Sequence, residues 1–134
     1  MARSIARRFR GRSGLLVVEG GTAPENFTGP ILGFAPSHLV VVDCAELEAP
    51  PGTAGLFPLE YIGGLSSSTH SLPLSVVFDY LRRSCDCEIL VVGIRPKSLE
   101  FDAPPTREAL RASRRVAGGL ARAIRAMERS PEFP

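Results

Sequence analysis

Leu39-Val40-Val41-Val42-Asp43 is the stretch whose reading decides the fold. An unbroken, β-branched apolar run with no polar alternation predicts a strand buried on both faces, as parallel strands are when helices cover a sheet on either side. Asp43 follows the last valine directly and so falls at the strand's carboxyl end, where open α/β sheets gather their ligands. Further on, the polar loop Ser66-Ser67-Ser68-Thr69-His70-Ser71 delivers a histidine just before a helix that opens with Pro73. The chain therefore offers an acid and an imidazole to one mouth.

Two more runs of the same kind flank the first. Leu15-Leu16-Val17-Val18, ending at Glu19, predicts one buried strand, and Ile89-Leu90-Val91-Val92, entered at Cys87 or Glu88 and ended by Gly93, predicts another. Gly55 to Glu60 predicts a short edge strand, because Pro58 would remove a ladder donor from a central position. Between these runs the periodicity changes to that of helices. Ala2 to Arg10 places Ile5 and Phe9 four apart on one stripe. Residues 31–35 predict a helical turn before Pro36. Ser71 is a fitting N-cap for a helix running to about Arg83 with Leu74, Val77, Phe78 and Leu81 on one face. Thr106 can cap a long last helix with Leu110, Ala117, Leu120, Ile124 and Met127 in line, and Gly118-Gly119 in its middle predicts close packing or a local bend. Ser130 to Pro134 reads as a disordered tail.

This alternation predicts an α/β fold, a three-layer sandwich with a central, mostly parallel sheet between helices, in one domain spanning 1–134. A chain of 134 residues can bury roughly two-thirds of its unfolded surface, enough for one core. Opening on a helix is awkward, since such a helix normally crosses over from a preceding parallel strand, so a first strand is expected to be missing.

Hydrophobic residues at 44% and charged residues at 22% fit a soluble globular protein, and no apolar run nears the roughly 20 residues of a membrane span. The net charge of +2 conceals an asymmetry: Arg3, Arg7, Arg8, Arg10 and Arg12 stand in the first twelve residues with no acid among them. The rest is acidic on balance, which argues against nucleic acid, whose binding needs a clustered basic face. The basic start also resembles an organelle transit peptide, but it is short and joins directly onto an apparent core strand. Cys44, Cys85 and Cys87 make an odd count with no signal-peptide pattern, which points to a reducing cytoplasm. One Cys85-x-Cys87 without a second half reads more readily as loop thiols than as a metal site.

Asp43 and His70 suit a divalent transition metal, carboxylate oxygen with neutral imidazole nitrogen, although two ligands make a poor site and a third is usual. The plain alternatives are a turn-forming aspartate and a packing histidine. The sequence has no G-x-S-x-G elbow, P-loop or H-E-x-x-H, and Gly20-Gly21 lacks the dinucleotide fingerprint. The loop Gly20 to Pro30 leaves a strand's carboxyl end and is rich in turn formers, so it is either a functional loop or a plain connection.

Four ordered motifs carry a resemblance: V-V-E-G-G-T-A-P-E-N-F-T-G-P at Val17 to Pro30, V-V-V-D-C-A-E at Val40 to Glu46, S-S-S-T-H-S-L-P-L at Ser66 to Leu74, and V-G-I-R-P-K-S-L-E at Val92 to Glu100. Together they resemble the [NiFe]-hydrogenase maturation endopeptidases, in the branch that processes hydrogenase 3-type large subunits. The resemblance implies a cytoplasmic peptide hydrolase that removes a C-terminal extension from the large-subunit precursor after nickel insertion, with the precursor's nickel as the recognition signal. It assigns Asp43 and His70 as metal ligands and makes Thr22, Glu25, Asn26 and Thr69 candidate substrate contacts. It does not single out a catalytic residue.

The same resemblance implies an acid-acid-glycine motif, carrying a further metal ligand, ahead of the helix at Ala2. None is present, so the chain is expected to be shortened or mis-started relative to the family. Glu19, at a strand end, is the acid placed to substitute for that ligand. The alternative function is a non-catalytic chain that docks on the large subunit or binds metal without cleaving. A missing strand would also expose sheet edges, which predicts self-association.

Overall fold

The computed structural model describes residues 1–57, 74–98, 100 and 104–130. Its elements are α1 (Ala2–Arg8), a 3-10 turn (Pro24–Phe27), α2 (Thr28–Phe34), β1 (His38–Cys44), β2 (Ala54–Phe57), α3 (Leu74–Ser84), β3 (Glu88–Ile94) and α4 (Arg107–Met127). The strands form one mixed sheet in the order β1-β3-β2. β1 runs parallel to β3 from His38↔Glu88 to Cys44↔Ile94, and β2 lies antiparallel on the other side of β3, from Ala54↔Ile94 to Phe57↔Val91. The expected edge strand is present through Phe57, and residues 58–60 of that expectation lie outside the described residues.

Strand alternation divides the apolar residues between two faces. Leu39, Val41, Ile89 and Val91 point to one side, where Leu74, Val77, Phe78 and Leu81 of α3, with Ile31 and Leu32 of α2, close a core. These four α3 residues form the predicted stripe, and Leu81 is 1% exposed. Val92 and Ile94 point to the opposite side, against which α4 packs. Helices thus cover both faces of the sheet, as the α/β reading predicts.

A second cluster forms away from the ladder. Ile5 and Phe9 of α1 meet Ala117 and Ala121 of α4, with Leu15, Val17, Leu120 and Ile124 around them. The Arg125 guanidinium lies over the Phe9 ring, 5.9 Å from its centroid. Arg12 pairs with Glu128 at 2.7 Å, an exposed contact of well under about 1 kcal/mol.

The predicted strand Leu15 to Val18 is not in the sheet: these residues have no ladder partner among the described residues. Leu15 and Val17 turn inward onto the α1–α4 cluster while Leu16 is 39% exposed. The apolar run reported burial against helices rather than strand pairing, which the same residue types serve equally well.

One further expectation fails, and so does the close-packing half of another. Leu110 is 42% exposed and Ala112, one position off the predicted stripe, is fully buried, so the first turns of α4 meet the sheet on a rotated face. Gly118 and Gly119 are not close-packed, since an added Cβ at Gly118 would meet only the Arg122 guanidinium at 3.7 Å. α4 runs through both as continuous helix. The predicted turn at 31–35 starts earlier, at Thr28, and ends at Ala35 in a left-handed conformation (φ 50) before Pro36. Of the tail read as disordered, residues 131–134 lie outside the described residues, as do Ser71 and Pro73, the expected cap and first-turn proline.

Candidate functional site

Asp43 stands where the sequence put it, next to last in β1 and beside Gly93 of β3. Its Oδ1 accepts a hydrogen bond from the Cys44 backbone N–H at 2.8 Å, which orients the half-buried carboxylate at the strand's exit. Partial burial, and then the Asp43 charge beside it, push the Cys44 thiol up, so it stays neutral at ordinary pH. The ladder continues one step past Cys44, with Ala45 N–H donating to the Ile94 carbonyl at 3.0 Å.

Gly93 is required by what lies over it. A Cβ there would stand 2.7 Å from the Ala45 Cβ and 2.9 Å from the Phe57 ring. β1, β2 and β3 therefore converge on one backbone position beside the carboxylate.

The turn Pro50-Pro51-Gly52-Thr53 braces the same end of the sheet. Gly52 N–H donates to the Arg95 carbonyl and Arg95 N–H donates to the Thr53 carbonyl, both at 2.8 Å. Arg115 of α4 donates to the Gly52 carbonyl at 2.7 Å. Gly52 has φ +86, and a Cβ there would stand 3.1 Å from Glu108, so both conformation and space demand glycine. α4, the turn and the exit of β3 are thereby locked together.

The loop after Glu19, rich in turn formers, carries regular structure. Pro24–Phe27 forms a 3-10 turn that packs on α2 and α3, and the Thr28 hydroxyl donates to the Glu25 carbonyl at 2.9 Å. Glu25 is half-buried, while Thr22 and Asn26 are exposed and available to a partner chain. Thr69 and His70 lie outside the described residues. Of the chain's two histidines, His38 begins β1, about 17 Å from Asp43 at a strand's rise per residue. Among the described residues, no three His, Cys, Asp or Glu side chains come together as a metal cage. Glu19 is exposed, and its carboxylate pairs with the Arg3 guanidinium at 3.0 Å.

Arg95 is the neighbour that the sequence reading did not single out. It follows β3 directly, and its Nε is buried without a hydrogen-bond partner among the described residues. The available signal was a cation at a strand's carboxyl end followed by Pro96, which ends the ladder.

Residues 1–123 match the HycI hydrogenase maturation protease family. The chain is 30% identical to the Hydrogenase 3 maturation protease of Escherichia coli over 93 residues, 69% of this chain and 59% of that protein. It spans less than two-thirds of the length of the curated relatives it matches. Among solved structures, the [NiFe] hydrogenase maturation protease HycI of Thermococcus kodakarensis superposes with a TM-score of 0.77 at 26% identity, covering 90% of this chain and 77% of that one. The solution structure of the endopeptidase HycI of Escherichia coli gives 0.75 at 28%, covering 87% and 74%. With 1–123 matched and the sheet shared, the chain belongs to the HycI hydrogenase maturation protease family.

Proposed function

We propose that this chain is a maturation endopeptidase that removes the C-terminal extension of a [NiFe]-hydrogenase large-subunit precursor once nickel is in place. The observation that carries the reading is the Asp43 carboxylate, oriented by the Cys44 N–H at the carboxyl end of a parallel strand, in a chain of this family. In this reading Asp43 and His70 engage the precursor's nickel. A carboxylate and an imidazole supply two ligands, which suits a metal that arrives already held by the precursor's own side chains.

Thr22, Glu25, Asn26 and Thr69 contact the precursor. Exposed Thr22 and Asn26 offer a hydroxyl and an amide, groups able to pair with an extended backbone. Catalysis is peptide hydrolysis, with the attacking water activated either by the metal or by a carboxylate beside the scissile bond. The work is assigned to the cytoplasm, in keeping with Cys44, Cys85 and Cys87 all standing as free thiols. No helix among the described residues is long and apolar enough to cross a membrane.

The test is to incubate the chain with nickel-loaded and nickel-free precursor and to follow release of the extension by mass spectrometry. Release from the loaded form alone is the expected result. Saturable binding without release would instead establish a docking protein, and neither binding nor release would remove the assignment altogether.

A further inference from the structure

Cys85 and Cys87 lie at the end of the sheet opposite Asp43, in the turn that joins α3 to β3. Their Sγ atoms are 2.7 Å apart. The Cys85 Sγ donates to the Leu81 carbonyl at 3.1 Å, in the last turn of α3, and so receives the Cys87 S–H in return. Both residues are half-buried, neither sealed from solvent nor loosely exposed. The turn has thus already brought the two sulfurs together and aimed one at the other.

From this geometry we infer that Cys85 and Cys87 form a reversible dithiol–disulfide site, oxidised by low-molecular-weight disulfides of the glutathione class. An S–S bond is about 2.05 Å long, so bonding closes the gap by less than about 1 Å. The third cysteine cannot compete. Cys44 pairs with Ile94 at the far end of β3, whereas Cys87 immediately precedes Glu88 at its start, a separation of about 20 Å at a strand's rise per residue.

The exchange balances in two steps. One cysteine, as thiolate, attacks the small disulfide, forming a mixed disulfide and releasing one small thiolate. The second cysteine gives up its proton to solvent, attacks the protein sulfur and releases the other small thiol. In sum, two protein thiols become one disulfide and one small disulfide becomes two thiols. Burial foremost, then the hydrogen bond to Cys85 and the nearby negative charges, push the Cys87 thiol up to about 11. A Cys85 thiolate is the one placed to accept the Cys87 S–H, so Cys85 attacks first and Cys87 closes the ring, faster as pH rises. Cys87→Ser leaves the mixed disulfide on Cys85 with nothing to resolve it.

The experiment equilibrates the full chain with reduced and oxidised glutathione, with chelator present, then alkylates it and reads intact mass and peptide map. The expected result is loss of two alkylation sites and two hydrogens, a linkage mapped to Cys85–Cys87, and full reversal by dithiothreitol. Cys87→Ser should instead accumulate one glutathione on Cys85. Retention of all three alkylation sites under oxidising buffer, or stable glutathione adducts on both cysteines of the natural chain, would overturn the proposal.

Discussion

Asp43 and Gly93 are ladder partners at the carboxyl ends of two parallel strands, and the glycine's missing side chain is what lets Ala45 and Phe57 close over the sheet there. Gly93→Ala is expected to destabilise the chain by about 1–3 kcal/mol, because the added methyl meets Ala45 Cβ at 2.7 Å and a packed ring at 2.9 Å. Thermal unfolding measures it, and an unchanged midpoint would refute the packing.

Gly118→Ala should act in the opposite direction. Its Cβ meets only a flexible guanidinium end at 3.7 Å, and alanine is favoured over glycine inside a helix by about 1 kcal/mol. Denaturant unfolding should show a higher midpoint with an unchanged slope; a loss of stability would mean that the helix packs more closely than described.

The cap of α4 gives a pH-dependent prediction. The Thr106 hydroxyl oxygen accepts from Ala109 N–H at 3.3 Å, and Glu108 is held below its ordinary 4.5 first by its backbone hydrogen bond and then by Thr106. For a carboxyl lowered on folding, the added stability is complete above 4.5 and is lost as pH falls through the lower folded value. Thr106→Ala should therefore cost about 1 kcal/mol from the cap alone, and more at pH 7 than at pH 3. An equal cost at both pH values would exclude the link to Glu108.

Val40 and Leu90 face each other across β1 and β3 and remain 40% and 43% exposed, and β1 has no strand on its outer edge among the described residues. Such an apolar pair beside an unpaired edge favours association. Sedimentation should show concentration-dependent self-association that Val40→Thr with Leu90→Thr reduces; a monomer at all concentrations would contradict it.

How much of this was legible follows from what each signal reports. Leu74, Val77, Phe78 and Leu81 are spaced for one helical face and all four are buried, because periodicity and burial coincide when a helix lies flat on a sheet. Asp43 was legible for a similar reason, since an apolar run ending in an acid fixes which end of the strand the acid occupies. Leu15 to Val18 misled because composition records that a segment is covered, not which partner supplies its hydrogen bonds. Leu110 misled because a helix that bridges two packing surfaces turns different faces to each along its length. Arg95 was hidden because its place at the mouth depends on the Gly52–Thr53 turn and on α4, contacts remote in sequence.

The central claim is that the Asp43 carboxylate meets the precursor's nickel. It is tested most directly by measuring the affinity of the natural chain and of Asp43→Asn for nickel-loaded and nickel-free large-subunit precursor. The natural chain should bind the loaded form at least about tenfold more tightly, a difference of about 1.4 kcal/mol, and Asp43→Asn should lose that preference while keeping its thermal midpoint. A folded Asp43→Asn chain that still discriminates between the two precursors would contradict the account.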